Sequence, residues 1–282
     1  HRFELAYDLY RDSGDYSPRP DWSGSANNER SGTETIPTDY DRDTVTLSYE
    51  LKGDVHKGKV TLYSSQTEIV RDESGVTSRW PGDRLSVNSA ENKNVGANAK
   101  FQSDYQIGRL DNTVTYGLDY IDKTSKSIYG GVVFADESAI NSAFFAENQI
   151  YITDFWSVTA GVRYDDYKRK AATGTSNFDD VTWSLATEWD VTNDWTLFAS
   201  TRSLFKGPEL LETFIKYQPT THLASDIKAE TGQNTQGGVR FNKQVNSHFF
   251  GASLTAFKTQ IDDYIAEAYQ SSTKGYLIYN KG

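Results

Sequence analysis

The side chains that most often perform chemistry in proteins are few and scattered in this sequence. There is no cysteine, which excludes disulfides and thiolate chemistry. The four histidines are His1, His56, His222 and His248. Adjacent aspartates occur at Asp165-Asp166, Asp179-Asp180 and Asp262-Asp263. Neighbours along a strand point to opposite faces, so such a pair is poorly placed to act on one substrate atom. No nucleophile elbow, zinc-protease motif or phosphate-binding glycine loop is present, and the sequence predicts neither an enzyme nor a resident metal.

Apolar and polar residues alternate along most of the chain. In 44–51, Val45, Leu47 and Tyr49 lie between polar neighbours, and the period recurs at 94–105, 114–120, 156–164, 181–189, 195–199 and 250–256. A period of two residues is typical of a strand with one apolar and one polar face. The opposite faces of these segments carry Lys100, Asp104, Asp119, Arg163, Asp165, Glu188, Arg202 and Arg240. We predict an all-β fold of about twelve antiparallel strands.

The predicted connections between strands alternate between short and long. Short links lie near 52–54, 107–112, 153–155, 191–194 and 242–246, and long ones at 11–43, 70–93, 123–141, 168–179, 205–229 and 262–274. A soluble sandwich shows no such order. A transmembrane β-barrel has tight turns at one end and long loops at the other. Trp156, Trp189 and Trp195 lie near the short links, as expected for aromatic residues at a bilayer interface. The pattern therefore favours a membrane barrel.

Composition narrows the possible partners. The net charge of −10 argues against a nucleic-acid partner, which requires a basic face. An aromatic content of 13% argues against disorder. No run of 18 apolar residues is present, so we predict no transmembrane helix.

Two segments resemble the hallmark of TonB-dependent outer-membrane receptors. Phe205-Lys206-Gly207-Pro208 stands where the family has Phe-Arg-Ala-Pro. Ala224-Ser225-Asp226-Ile227-Lys228-Ala229-Glu230-Thr231 stands where the family has Asn-Pro-Asn-Leu-Lys-Pro-Glu-Thr. Lysine replaces arginine, glycine replaces alanine, and both prolines of the second block are missing. Segments 144–149, 160–165, 261–265 and 280–282 are similar to the family as well, so the resemblance covers roughly residues 100–282.

The resemblance implies a barrel of the 22-stranded plugged type in the bacterial outer membrane, with an N-terminal segment that contacts TonB. Residues 1–282 would then be part of the β-barrel domain, a partial barrel in contact with outer-membrane lipid. We expect the plug domain, the TonB-contacting segment and the remaining strands to lie outside this chain. Because open sheet edges are not stable in lipid, we expect this polypeptide not to transport alone.

The resemblance also implies an iron-carrying ligand, bound at the extracellular loops and transported rather than kept as a cofactor. Heme receptors of the family place a ligand histidine between the two motif blocks, and His222 lies there. A neutral imidazole can coordinate heme iron axially, and Phe214 and Tyr217 could flank the porphyrin. Heme or a hemoprotein is thus the favoured ligand. A solvated loop histidine is the competing interpretation, since His222 lies very close to the second block.

A ferric siderophore is the alternative ligand. Aromatic residues in the predicted long loops could bind it, namely Tyr10, Tyr16, Trp22, Tyr40, Trp80 and Tyr129. Two other classes of protein remain open at this point: a passive porin-like channel and a soluble all-β binding module.

Overall fold

The computed structural model describes residues 1–18, 23–76, 86–171, 174–210, 222–272 and 275–281. In chain order the elements are β1 (Arg2–Tyr16), α1 (Gly24–Ser31), β2 (Ile36–Lys52), β3 (His56–Asp72), β4 (Val87–Ile107), β5 (Leu110–Tyr129), β6 (Val132–Thr153), β7 (Trp156–Ala171), β8 (Gly174–Thr192), β9 (Trp195–Lys206), β10 (His222–Leu223), β11 (Glu230–Val245), β12 (His248–Asp262), β13 (Tyr264–Gln270) and β14 (Gly275–Lys281). The all-β prediction is confirmed, with one short helix in the first long connection.

Eleven strands form one antiparallel sheet in the order β1-β2-β3-β4-β5-β6-β7-β8-β9-β11-β12. Neighbours in the sheet are therefore neighbours along the chain, except where β10 leaves the sheet between β9 and β11. β10 joins a separate three-stranded sheet, parallel to β14, while β13 pairs with β14 in the antiparallel sense. This up-and-down order is the arrangement of a barrel wall.

Tight turns of two or three residues join β2 to β3, β4 to β5, β6 to β7, β8 to β9 and β11 to β12. All five lie at or beside the predicted short links. Gly108 (φ 63°) and Asn246 (φ 54°) adopt the left-handed conformation that tight hairpins require. We call this end of the sheet the base and the opposite end the rim.

Two of the predicted long loops are wrong. β5 and β6 continue to a turn at Gly130-Gly131, and β7 and β8 pair as far as Ala171 and Gly174. Residues 123–141 and 168–179 are therefore largely paired strand. Residues 123–127 and 168–170 are polar on both faces, because these hairpins project beyond the apolar part of the wall, and the alternation that marks a strand is lost there. The rim therefore differs from the base in how far its hairpins extend as well as in the length of its loops.

The sheet has an apolar outer face and a polar inner face. Leu47, Phe144 and Leu185 on the outer face keep 45%, 61% and 47% of their surface exposed. Among the described residues these rows pack against no second sheet, and lipid is the environment that would bury them. The polar residues predicted on the opposite faces lie on the inner face, as the strand registers of Asp119 and Arg163 illustrate.

The apolar band on the outer face is of membrane thickness. On β7 it begins at Trp156 and ends at Tyr164, after which the outward positions are Asp166 and Lys168. These nine residues are comparable with the roughly 9–11 residues of a tilted transmembrane β-strand. None of the helices in the described ranges is long and apolar enough to cross a bilayer.

The largest of the fully buried side chains lie at the rim rather than in the wall. Ile36, Val76 and Tyr129 are at most 3% exposed, and the polar Asn27, Glu73 and Asn88 are fully buried. Glu73 accepts a hydrogen bond from the Asn88 amide (3.1 Å), and Asn88 Oδ1 accepts one from the Gly130 backbone N–H (3.1 Å). This buried network holds the β3–β4 connection against the β5–β6 turn.

Candidate functional site

The two motif blocks, about twenty residues apart in sequence, lie side by side in the structure. β9 and β11 pair so that Lys206 lies opposite Glu230 and Phe205 opposite Thr231. The blocks therefore form one ladder at the rim, from which the chain leaves and to which it returns. The loop between them holds the predicted ligand residues.

The first block is held by Tyr167 of β7. The Tyr167 hydroxyl donates to the Pro208 carbonyl oxygen at 2.7 Å, and Pro208 is fully buried. A Cβ atom at Gly207 would lie 2.3 Å from Cδ1 of the Tyr167 ring. The glycine that replaces the alanine of the family pattern is thus explained by close packing against this tyrosine.

The second block is bound to the β13–β14 hairpin. Asn280 accepts from the Lys228 N–H at 2.7 Å and donates to the Lys228 carbonyl at 3.1 Å and to the Asp263 carbonyl at 2.5 Å. The Glu230 carboxylate accepts from the Ile265 N–H at 2.7 Å. Ala224 extends the contact by donating its N–H to the Ile278 carbonyl at 2.8 Å. Asp226 and Ile227 lie in the turn between these anchor points, where the Ile227 N–H donates to the Ala224 carbonyl at 3.2 Å. These residues position the backbone of the loop.

His222 lies in this anchored part of the loop. The backbone of β10 pairs with β14, with His222 opposite Leu277. The side chain of His222, and Phe214 and Tyr217 entirely, lie outside the described residues, so the heme-binding trio stays a prediction. The other three histidines lie toward the base, where His56 Nδ1 is 2.7 Å from Ser103 Oγ and His1 Nδ1 is 2.7 Å from Tyr49 Oη.

A charged network occupies the middle of the inner wall. Arg163 binds Asp165 through Nε (2.8 Å) and NH2 (3.0 Å), and binds Asp119 through NH1 (2.6 Å). Asn98 donates to Asp119 from one side, and Asn141 donates to Asp165 at 3.2 Å from the other. One guanidinium thus pairs with two carboxylates across β5 and β7, and its contact with Asp165 has the bidentate geometry that favours strong ion pairs.

Two hollows of about 570 and 550 Å³ lie on either side of this network and share Asp165 and Phe205. The hollow nearer the base includes Arg202 and Glu147, and the one nearer the rim includes Lys123 and Lys206. Together they form a polar track from the first motif block down the inner wall. Among the described side chains, no group of three or more His, Cys, Asp or Glu is arranged to hold a metal ion.

A third hollow, of about 540 Å³, gathers three of the predicted aromatic residues. Tyr10, Tyr16 and Tyr40 line it at the rim ends of β1 and β2, together with Asp12, Ser17, Pro18, Thr38, Arg42, Ile69 and Arg71. We call it the tyrosine pocket. Its arginines were missed at the sequence level, although the period-two pattern places Arg42 on the same face as Tyr40.

Of the other three aromatic candidates, only Tyr129 belongs to the described residues, and it does not line the tyrosine pocket. Tyr129 is only 3% exposed at the end of β5, so its assignment to a ligand-binding loop is wrong. Its ring is part of the packed rim, because β5 extends further than the sequence pattern indicates. Trp22 and Trp80 lie outside the described residues.

Comparison with known proteins identifies the family that has this architecture. The family model of the TonB dependent receptor-like β-barrel matches residues 1–282. The vitamin B12 transporter BtuB of Photobacterium profundum is 26% identical over 196 residues, covering 65% of this chain and 29% of that protein.

Solved structures share the fold at low sequence identity. The FrpB iron transporter of Neisseria meningitidis (F3-3 variant) superimposes with a TM-score of 0.78 at 19% identity, covering 99% of this chain and 44% of its own. The Serratia marcescens hemophore receptor HasR, solved with its hemophore HasA and heme, gives a TM-score of 0.76 at 16% identity, covering 99% and 47%. The chain thus spans less than half of each of these three proteins.

Proposed function

Because residues 1–282 belong to the TonB-dependent receptor β-barrel family, whose members lie in the bacterial outer membrane, we propose that the whole receptor imports an iron-carrying ligand. In such barrels the short turns face the periplasm and the long hairpins face the outside, so the rim is extracellular. TonB, acting through a segment outside this chain, would supply the energy. A plug domain would fill the lumen against the inner face.

The observation that carries this proposal is the pairing of a lipid-facing outer band with a polar inner track that starts at the motif blocks. An iron carrier that binds at the rim would meet Lys206 first, and then the network around Arg163 and Asp119. Such a lining suits the carboxylates and other polar groups of an iron carrier, because burying them against apolar residues would leave them unsatisfied.

Heme or a hemoprotein is the first candidate ligand. His222 lies in a loop anchored to β14, so its backbone has a fixed place at the extracellular mouth. A histidine nitrogen can serve as an axial ligand to heme iron. The structural similarity to a hemophore receptor agrees with this choice. A ferric siderophore is the second candidate, favoured by the tyrosine pocket.

Growth under iron starvation tests the proposal. A strain without the receptor is complemented with the full-length protein and supplied with heme or a ferric siderophore as its iron source. We expect receptor-dependent growth on one of them that disappears when TonB is removed. Growth that persists without TonB, or no receptor-dependent growth on any iron source, would overturn the proposal.

Heme titration of the full-length receptor separates the two ligands. His222→Ala should abolish the Soret shift if His222 coordinates heme, whereas His248→Ala, at the base, should leave it unchanged. A Soret shift of equal size and affinity in His222→Ala would remove His222 as a ligand.

A further inference from the structure

The wall splits between β8 and β9 on the rim side. From the base, these two strands pair only as far as Ser184 and Arg202. The rest of β8, residues 174–183, pairs with β7 alone among the described strands. The two strands part around the hollow of about 570 Å³, whose lining includes Trp183 of β8 and Phe205 of β9. The β7–β8 hairpin therefore has one long edge that no described strand covers.

Side chains end the pairing of β8 with β9. The Trp183 N–H donates to Ser203 Oγ at 2.8 Å, and the same hydroxyl lies 3.5 Å from the Trp183 carbonyl oxygen. One step further along the edge, the Val181 N–H donates to Asp180 Oδ1 at 2.8 Å. A hydroxyl and a carboxylate thus stand where a neighbouring strand would otherwise bind these two residues.

Beyond Val181 the edge remains open. In an antiparallel sheet the backbone groups of every second residue face the same edge, so those of Asn177 and Asp179 face the same way as those of Trp183. Both side chains are exposed, and no described residue offers a backbone group to this part of the edge. Such a row of N–H and C=O groups is a template for the addition of another strand.

The charge along this edge is negative on both faces of the hairpin. On the outer face Asp179 lies directly opposite Asp166 of β7, and among the described side chains neither carboxylate has an ion pair. Like charges in directly opposed positions destabilise a sheet. Asp180 adds a carboxylate on the inner face. A second copy of this edge would bring further carboxylates, whereas a strand with basic side chains would neutralise those already present.

We propose that the edge of β8 at residues 174–183 is the docking site of a partner protein, which adds an extended basic segment to it as a further strand. Backbone hydrogen bonds would supply the affinity, and a lysine or arginine opposite Asp179 would select the partner. With the rim outside the cell, as the proposed function places it, the partner would bind beside the first motif block. The edge does not depend on which ligand is imported.

Binding of a fluorescent strand peptide to the purified full-length receptor, measured by anisotropy, tests the proposal. The probe is about seven residues long, with two central lysines between threonines and valines. A peptide with glutamate in place of both lysines should bind at least about tenfold more weakly. A third peptide keeps the lysines but carries N-methyl groups on alternate amides, so it cannot pair along the edge. It should also bind at least about tenfold more weakly.

Variants of the receptor test the same contacts from the other side. Asn177→Pro removes an N–H that faces the open edge and none that faces β7, a position where a strand tolerates proline. It should weaken binding of the lysine peptide at least about fivefold, whereas Asn177→Ala keeps the N–H and should bind within about twofold of the parent. Asp179→Asn should weaken binding about threefold, and Asp154→Asn, in a turn at the base, is the matched control that should not change it.

Residue-resolved hydrogen exchange shows whether the edge is open before the peptide binds. In the free receptor the amides of Asn177 and Asp179 should exchange faster than those of Ser176 and Phe178, which face β7, and the lysine peptide should slow them. Slow exchange of Asn177 and Asp179 in the free receptor would mean that another part of the receptor covers the edge. That result, no binding of the lysine peptide, or equal binding of its N-methylated form would reject the docking site. Peptide binding requires no iron import, so the growth experiment can fail while the docking site stands, and the reverse.

Discussion

The side chain of Asn280 brackets the peptide of Lys228, accepting from its N–H at 2.7 Å and donating to its carbonyl at 3.1 Å. This pair of hydrogen bonds imitates the pairing of two strands where no strand pairing exists. It joins the second motif block to the β13–β14 hairpin, which in turn carries β10 and His222. The position of the predicted ligand loop therefore depends on an asparagine more than fifty residues away.

Asn280→Ala should release the second block. Three hydrogen bonds are lost, to Lys228 and to the Asp263 carbonyl, and each typically contributes about 1 kcal/mol. Hydrogen exchange of the full-length receptor should show faster exchange at the Lys228 and Ala224 amides, with the amides of β7 unchanged. Asn177→Ala, at an exposed position of β8, is the control and should change none of them. Unaltered exchange at Lys228 in Asn280→Ala would contradict the role of the clamp.

Gly207→Ala should destabilise the rim through Tyr167. The added methyl would lie 2.3 Å from Cδ1 and 2.7 Å from Cε1 of the ring, so Tyr167 must move and its bond to Pro208 weakens. Overpacking of this kind costs about 1–3 kcal/mol. Urea unfolding of the full-length receptor in vesicles measures the loss, and Gly75→Ala, with nothing within 4 Å, is the control.

A second variant isolates the contact between Gly207 and Tyr167. In a Tyr167→Leu background the ring is gone, so Gly207→Ala should add little further loss of stability. Additive losses from the two substitutions would show that the alanine acts elsewhere.

The sequence patterns predicted the strands of the wall better than they predicted the structure of the rim. Apolar residues such as Val45, Leu47 and Tyr49 must alternate with polar ones, because one face of the strand meets lipid and the other does not. This alternation made the strands predictable from the sequence. Beyond the apolar band both faces of the sheet meet water, so the strand around Lys126 shows no alternation of apolar and polar residues. The contact between Tyr167 of β7 and Gly207 after β9 depends on how these two parts of the chain approach each other at the rim. No local sequence pattern encodes the distance between them.

The residues of the candidate site were likewise predictable from the sequence, whereas their arrangement was not. The motif blocks were found from residue types alone, since they repeat a family pattern. Their pairing through Lys206 and Glu230 needed the register of β9 and β11. Tyr10, Tyr16 and Tyr40 were identified as aromatic candidates, but only the structure shows that they share one pocket with Arg42 and Arg71.

Arg163→Gln should leave two carboxylates facing each other across the inner wall. Arg163 is one-third exposed and Asp165 one-tenth, so solvent screens this ion pair only in part. A double-mutant cycle with Asp165→Asn should give a coupling energy of about 1–2 kcal/mol, measured by urea unfolding in vesicles. The more exposed pair of Arg240 with Glu188 is the comparison, for which the cycle should give less than about 1 kcal/mol. Equal coupling in the two pairs would contradict this difference in screening.

Neighbouring residues on β9 test which face of the wall meets lipid. Ala199 points outward near the middle of the apolar band, and Ser200 points inward, where it lies opposite Gln236 of β11. A lysine at the bilayer midplane costs an outer-membrane barrel about 2–4 kcal/mol, while an inward lysine stays in a polar lumen. Ala199→Lys should therefore lower the unfolding free energy of the full-length receptor in vesicles by about that amount, and Ser200→Lys by less than about 1 kcal/mol. The two substitutions are similar in size and one residue apart, so a larger loss for Ser200→Lys would mean that the faces of the wall are assigned the wrong way round.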